Sequence, residues 1–338
     1  MAKQKNITLA LQGGGTHGAF TWGVLDRLLE ETNLRITGIS GTSAGAMNAA
    51  VLADGFEKGG TDLAKGKLHN FWKAMSRLGS FSPYQSPLFN PTWDGWSPMS
   101  ALFDTVSRFA SPYQFNPFNI NPLQKVLEDT IDYDCLRNCH SIKLFISATN
   151  VRTNRLRIFT SREISPQVLL ASACLPELHH AIEINGDAYW DGGFMGNPTL
   201  EPLLHNCDSS DVIIVQLNPT QRESIPQTAR DIAERQREIT LNASLMREIR
   251  NIVYINRAAE QDDTDTPRWA NINLHQISAQ DVTRDLSAAS KFDTSWPFLT
   301  SLKDHGRNHA EAWLTKNKRH ISKKTTLPLH EWEDYLDY

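Results

Sequence analysis

Apolar positions repeat along this chain in one compound rhythm near its start. Ile7 to Leu11 is a short apolar run of the kind a buried strand shows, glycines follow at once, and Phe20, Trp22, Val24, Leu25, Leu28 and Leu29 then return at helical spacing. Ile36 to Ile39 opens the same unit again, running into GTSAG and an Ala-rich helix from Ala44 to about Ala53. Two strands alternating with helices within about 55 residues predict parallel pairing through right-handed crossovers. Leu144–Ala148 and Val212–Leu217 fit the same sheet, the second reading DVIIVQL as a strand covered on both faces does. Between them, Ser165 and Pro166 form an N-cap and first-turn pair for a helix through Ala173. Ile182 to Trp190, broken at Asn185-Gly186, predicts a hairpin that delivers the chain to Asp191-Gly192-Gly193.

Farther on, residues 226–250 predict a long amphipathic helix with Ala229, Ile232, Ala233, Gln236 and Ile239 on one stripe. EQDDTDTPR at 260–268 is expected to be an exposed loop, Ile272 and Leu274 a late strand, and Leu299–Leu314 further helix. The fold class is therefore α/β, with a central, mostly parallel sheet flanked by helices. Phe81 to Phe118 holds ten aromatic residues and six prolines with no helical or strand period. Such a stretch is expected either to wall a binding channel or touch a lipid interface, or simply to pack over the sheet.

Charge and cysteine content narrow the function classes. A net charge of −4 leaves no overall cationic field for nucleic acid. Four cysteines are too few for a disulfide scaffold in 338 residues and fit a reducing compartment. The start, MAKQKNITLAL, reads as a short strand in place of a signal-peptide core, and no apolar run of ~18 residues is present. The expectation is a cytoplasmic protein, peripheral at most to a lipid surface, which KNKRHISKK at 316–324 would meet unless it is a solvated tail. Cys135, Cys139 and His140 do not have haem-attachment spacing, His179-His180 has no metal spacing, and neither a metal nor a cofactor is expected.

Gly13, Gly15 and Gly18 satisfy G-x-G-x-x-G between strand and helix, but the acid a dinucleotide site needs at the second strand's end is replaced by Ser40-Gly41-Thr42. A phosphate-binding P-loop would need Lys and Ser/Thr after its second glycine, where Ala19-Phe20 stand. The loop instead suits an oxyanion site, with amides at a helix N-terminus and no side chains at Gly13, Gly14 and Gly15 to block a carbonyl. Ser43, between Gly41 and Gly45, is either a nucleophile on a strand-to-helix elbow or a hydroxyl capping a glycine turn. Its base would be a histidine in a triad, with His275, His305 and His309 as candidates, or a carboxylate in a dyad, for which Asp191 before Gly192 and Gly193 is the candidate.

GGGTHG, then GTSAG, then DGG in this order resemble the patatin-like phospholipase family, over residues 7–55 and again over 144–217, including ASACLPEL at 171–178. The resemblance implies a three-layer sandwich, a Ser-Asp dyad and release of fatty acyl groups from lipids without a metal. It makes Ser43 the nucleophile, Asp191 the general base, and Gly13, Gly14, Gly15, Thr16, His17 and Gly18 the oxyanion loop. Residues 5–256 would form the catalytic domain with an aromatic insertion at about 80–122, and 257–338 an extension packed on it. The partner expected is a lipid or other acyl-ester substrate; the sequence carries no signal for oligomeric state. The family usually has Arg or Lys where His17 stands, so His17 either supplies that cation when protonated, with a pH dependence between about 6 and 8, or hydrogen-bonds as a neutral ring. The competing readings are an esterase or thioesterase with a Ser-Asp-His triad, an idle lipid-binding protein, and the dinucleotide-binding protein.

Overall fold

The computed structural model describes residues 4–79, 110–261 and 271–327. The 81–118 aromatic stretch up to residue 109, and the 260–268 loop beyond Gln261, lie outside the described residues.

Eight strands form one sheet: β1 (Lys5–Leu11), β2 (Leu34–Gly41), β3 (Lys143–Asn150), β4 (Arg155–Thr160), β5 (Ile182–Ile184), β6 (Asp187–Asp191), β7 (Asp211–Gln216) and β8 (Asn273–Ser278). The order is β5-β6-β3-β2-β1-β7-β8, with β4 also paired to β3. β3, β2, β1, β7 and β8 run parallel, and β4, β5 and β6 join antiparallel. The longer helices are α1 (Gly18–Leu28), α2 (Ala44–Gly79), α3 (Pro122–Thr130), α4 (Pro166–Ser172), α5 (Ala229–Gln261) and α6 (Trp296–Asn317), single-turn segments being left unnumbered.

Alternation along the central strands explains the three layers. Leu9 and Leu11 of β1, with Ile213 and Val215 of β7, enter the larger core beside Phe20, Val24, Leu52 and Leu302. Ala10, Val212 and Ile214 point the other way, to Leu245, Ile249, Ile252 and Val253 of α5. Successive side chains leave opposite faces of a strand, so continuous apolar runs require a helix layer on each side.

The structure departs from the sequence expectations in three places. The Ala-rich helix continues past Ala53 to Gly79, as two arms that meet at Gly59-Gly60, where Gly60 has φ +68°. β4 was not expected, because its RLRIFT alternates arginines with apolar residues on a largely exposed strand. The expected stripe of α5 does not face the core: Ile232 and Ile239 are 43% and 56% exposed. The apolar face comes one turn later, from Leu245 to Val253, and the first half of α5 borders a cavity.

Candidate active site

β1 and β2 both end at the same edge of the sheet, and each hands the chain directly to a helix. Glycine loop and elbow therefore lie side by side. Ser43 has φ +54°, a left-handed conformation that costs a non-glycine residue roughly 1–3 kcal/mol. Strain of this kind persists only where surrounding structure imposes it. Here a Cβ at Gly45 would stand 2.2 Å from the Leu11 carbonyl oxygen, and one at Gly13 only 2.8 Å from Ser43 Cβ. These glycines serve the close packing of one loop on the other. The Ser43 amide donates to Ser172 Oγ at 2.9 Å, from the last residue of α4. Ser172 belongs to the ASACLPEL segment, but nothing in its spacing marked it as a support for the elbow.

Asp191 reaches the elbow through β3. The far edge of β3 is occupied by β4 over Phe145–Asn150, so β2 and β6 share the near edge, one after the other. Gly41 pairs with Ile146 and Asp191 with Ala148, two residues on, which is about 7 Å along a strand. The Asp191 backbone is pinned on both sides, its amide donating to the Cys174 carbonyl and its carbonyl accepting from the Thr149 hydroxyl, each at 2.8 Å.

The Asp191 side chain is buried, accepts the Gly193 N–H at Oδ1 (2.7 Å) and lines the same cavity as Ser43. Among the described residues no cation lies within ion-pair range of it. Burial pushes its pKa up to about 7, the Gly193 amide and the Ser43 side chain pull against this, and the negative charge of Glu177 acts with burial.

In the glycine loop, the Gly13 amide donates to Asn197 Oδ1 at 2.7 Å and the Gly13 carbonyl accepts from Asn218 Nδ2 at 2.8 Å. Gly13, expected as an oxyanion donor, therefore has its N–H engaged. Among the described residues the amides of Gly14, Gly15 and Thr16 have no acceptor, which leaves them as the loop's available donors. Gly18 turns its own amide back to Gly15 and Thr16 at the start of α1. The polar groups behind the loop are buried and mutually satisfied: Gln12 accepts the amides of Leu217 and Asn218 at 2.7 Å each and donates to Asn242 at 2.9 Å.

His17 is 2% exposed, and its Nε2 meets Ser290 Oγ at 2.7 Å. Burial, reinforced by the charge of Lys291, pushes its pKa down to about 3. Of the two expectations for His17, burial and the Ser290 contact favour the neutral, hydrogen-bonded ring, because a charged imidazole there would lack both solvent and a carboxylate. The triad candidates are held elsewhere. His275 meets Asp211 at 2.9 Å and Thr326 at 2.7 Å, His309 pairs with Asp281 at 3.0 Å, and His305 is exposed on α6. Among the described residues no histidine hydrogen-bonds to Ser43 or Asp191.

Ser43, Asp191, Gly14 and Gly15 open into a cavity of about 560 Å³, within the range of small-molecule sites. One wall is apolar, with Met47, Phe71, Trp72, Met75, Leu123 and Leu178; the other mixes Ala233, Arg237, Thr240 and Leu241 of α5 with Lys291 and Phe292. Among the described residues no cluster of three or more His, Cys, Asp or Glu is placed to hold a metal, and no helix is long and apolar enough to cross a membrane.

Residues 9–204 match the family model described as patatin-like phospholipase. Among solved structures, VipD from Legionella pneumophila is similar at 14% identity and a TM-score of 0.40, over 99% of this chain and 79% of that one. Full-length ExoU from the type III secretion system of Pseudomonas aeruginosa, solved in complex with full-length SpcU, is similar at 13% identity and a TM-score of 0.33, over 92% of this chain and 53% of that one. This chain thus spans about half the length of that ExoU chain. No curated protein matches the chain in sequence.

Proposed function

The chain belongs to the patatin-like phospholipase family, a family of ester-bond hydrolases, and from that membership we propose that it cleaves fatty acyl esters with Ser43 as nucleophile and Asp191 as general base. The observation that carries this reading is a buried carboxyl that lines the same cavity as Ser43 with no cation beside it among the described residues, its pKa raised to about 7. An ordinary aspartate, near 3.9, is a feeble base toward a serine hydroxyl, and the raised value moves it close to neutral operating pH.

In this mechanism Ser43 Oγ bonds to the ester carbonyl carbon as its proton passes to Asp191. The carbonyl oxygen becomes an oxyanion held by the Gly14 and Gly15 amides. Collapse breaks the bond to the alcohol, which leaves with the proton from Asp191, and the acyl group stays on Ser43. Water then attacks that acyl-enzyme while Asp191 takes its proton; the second collapse frees the carboxylic acid and returns the proton to Ser43. Holding two amides ready where charge develops contributes about 2.7–4 kcal/mol per donor in comparable sites.

The apolar wall of the cavity suits an acyl chain. Just upstream of Leu123, the stretch 112–120 exposes Tyr113 (58%), Phe118 (84%) and Ile120 (65%) and contains no charged residue. Exposed aromatic and aliphatic groups favour contact with a lipid interface, and this supports a lipid as the ester's source.

Incubation with mixed phospholipids and neutral esters, followed by mass spectrometry of released acids, tests the proposal together with labelling by a fluorophosphonate probe. Release of fatty acid and a label on Ser43 are expected. Equal release by Ser43→Ala would end it.

A further inference from the structure

Behind the glycine loop stands a lysine that the loop's own sequence does not supply. We infer that Lys291 is a positioning residue for the oxyanion donors, acting through Asn218 on the peptide that joins Gly13 to Gly14. The inference rests on the acyl-transfer reading above and assigns a part in it to a segment well beyond the span that matches the family model.

Lys291 lies in the 3-10 turn Ala288–Phe292, which is docked on the loop at three points. The Thr16 hydroxyl donates to the Ser290 carbonyl at 2.8 Å, His17 Nε2 meets Ser290 Oγ at 2.7 Å, and a Cβ at Gly15 would come within 2.4 Å of the Lys291 carbonyl oxygen. From this turn Lys291 Nζ reaches into the cavity wall and donates to Asn218 Oδ1 at 2.7 Å. Asn218 is buried just past the end of β7, its amide is fixed on Gln12, and its Nδ2 donates to the Gly13 carbonyl at 2.8 Å.

Two consequences follow from the chemistry of these groups. An ammonium can only donate, so Lys291 selects the orientation in which Asn218 presents oxygen to it and NH₂ to Gly13. A trans peptide sets its C=O and N–H on opposite sides, so anchoring the Gly13 carbonyl on Asn218 aims the Gly14 N–H away from Asn218. Gly14 is one of the three loop amides left without an acceptor. Hydrogen bonds in series polarise one another, and one headed by a cation is the stronger kind. Lys291 therefore orients and strengthens the Gly14 donor without touching substrate.

The charges of Glu234, Glu238 and Arg237 of α5 and of Arg222 in the preceding loop act on the ammonium, which acts in turn on the His17 ring, and among the described residues no carboxylate lies within ion-pair distance of it. Burial lowers its pKa, the two arginines act in the same direction, and Glu238 and Glu234 oppose them. Because the charged form does the work, activity is lost as pH rises through that lowered value.

The test compares the full-length wild type with Lys291→Met, Lys291→Arg, Asn218→Ala and the Lys291→Met/Asn218→Ala double variant, using an acyl ester and a trifluoromethyl ketone analogue as a mimic of the tetrahedral adduct. Lys291→Met should lose roughly 10- to 100-fold in kcat, below the full loss of an oxyanion donor, with KM changed less than about twofold and analogue affinity falling in step with kcat/KM. Lys291→Arg, always protonated, should recover most of kcat and carry the alkaline limb of the pH profile to higher pH. The double variant should lose no more than the worse single one. Wild-type kcat in Lys291→Met, a loss confined to KM, or additive losses in the double variant would each overturn the relay. Should Lys291→Met fail to fold, Lys291→Arg decides alone: an alkaline limb that does not move overturns the inference. A wild type that neither turns over esters nor labels at Ser43 would instead defeat the acyl-transfer reading.

Discussion

Asp26 and Asp191 are buried alike, at 6% and 5% exposure, and the molecule uses them in opposite ways. Asp26 on α1 is ringed by cations: Arg307 is hydrogen-bonded to it, and Lys65 and Lys303 stand at 3.7 and 3.8 Å. It ties α1 to the second arm of α2 and to α6. Asp191 accepts one backbone N–H, from Gly193, and among the described residues has no cation in ion-pair range. Both carboxylates pay for lost hydration on burial, but only Asp26 has opposite charge close by to offset the loss. Burial by itself does not suit a carboxylate to act as a base; burial without a cation is what supports the part proposed for Asp191.

The largest effects should separate the two positions by activity. Ser43→Ala and Asp191→Asn are each expected to lower kcat at least 10³-fold and together little further, since the pair acts as one unit; steady-state kinetics on folded protein checks this. Asp26→Asn should leave kcat per folded molecule within about twofold.

The pH profile sharpens the contrast. With a base titrating at about 7, kcat/KM should fall about tenfold per pH unit below that value, and a profile flat down to pH 5 would contradict the role of Asp191.

Stability should then move in opposite directions. Asp26→Asn leaves Arg307 without its buried partner and should cost about 1–3 kcal/mol in denaturant unfolding, less than the 3–5 of a fully buried pair because the cations are partly exposed. For Asp191 the folded-state pKa is raised above its model value of 3.8. Between about pH 4 and 7 the native state therefore holds a proton the unfolded chain has released, and wild-type stability falls as pH rises across that window. Asp191→Asn escapes this loss, so its stability relative to wild type should grow over the same window, by at most ~4 kcal/mol at 1.36 kcal/mol per unit.

The smallest effect concerns His17. His17→Gln keeps a hydrogen-bonding group near Ser290 and should cost roughly 3- to 10-fold in kcat, with the midpoint of the acid limb unchanged. A shift of that midpoint would restore His17 as a titrating group.

Much of the scaffold was legible in the chain. β1, the glycine loop, α1, β2, and the Asn185-Gly186 hairpin followed from apolar runs and turn residues acting within a few positions of one another. β4 escaped because a solvated strand that alternates two arginines with apolar residues carries little burial signal. Ile232 and Ile239 misled because helical spacing marks a stripe without saying what faces it. The Gly13 amide, Ser172 and Lys291 were invisible for a related reason: their partners lie 184, 129 and 73 positions away.

The sequence by itself determined the order of motifs, the strand-loop-helix units and the small residues that let Ser43 sit on a sharp turn, since these depend on backbone sterics among near neighbours. Only the tertiary structure decided that β6 continues the edge of β3 where β2 stops, that Asp191 is buried without a cation, that His17 is buried against Ser290, and that a turn near residue 290 backs the loop. Proton affinity and long-range hydrogen bonding are set by what excludes water and what charge comes near, and those neighbours exist only once distant segments have packed together.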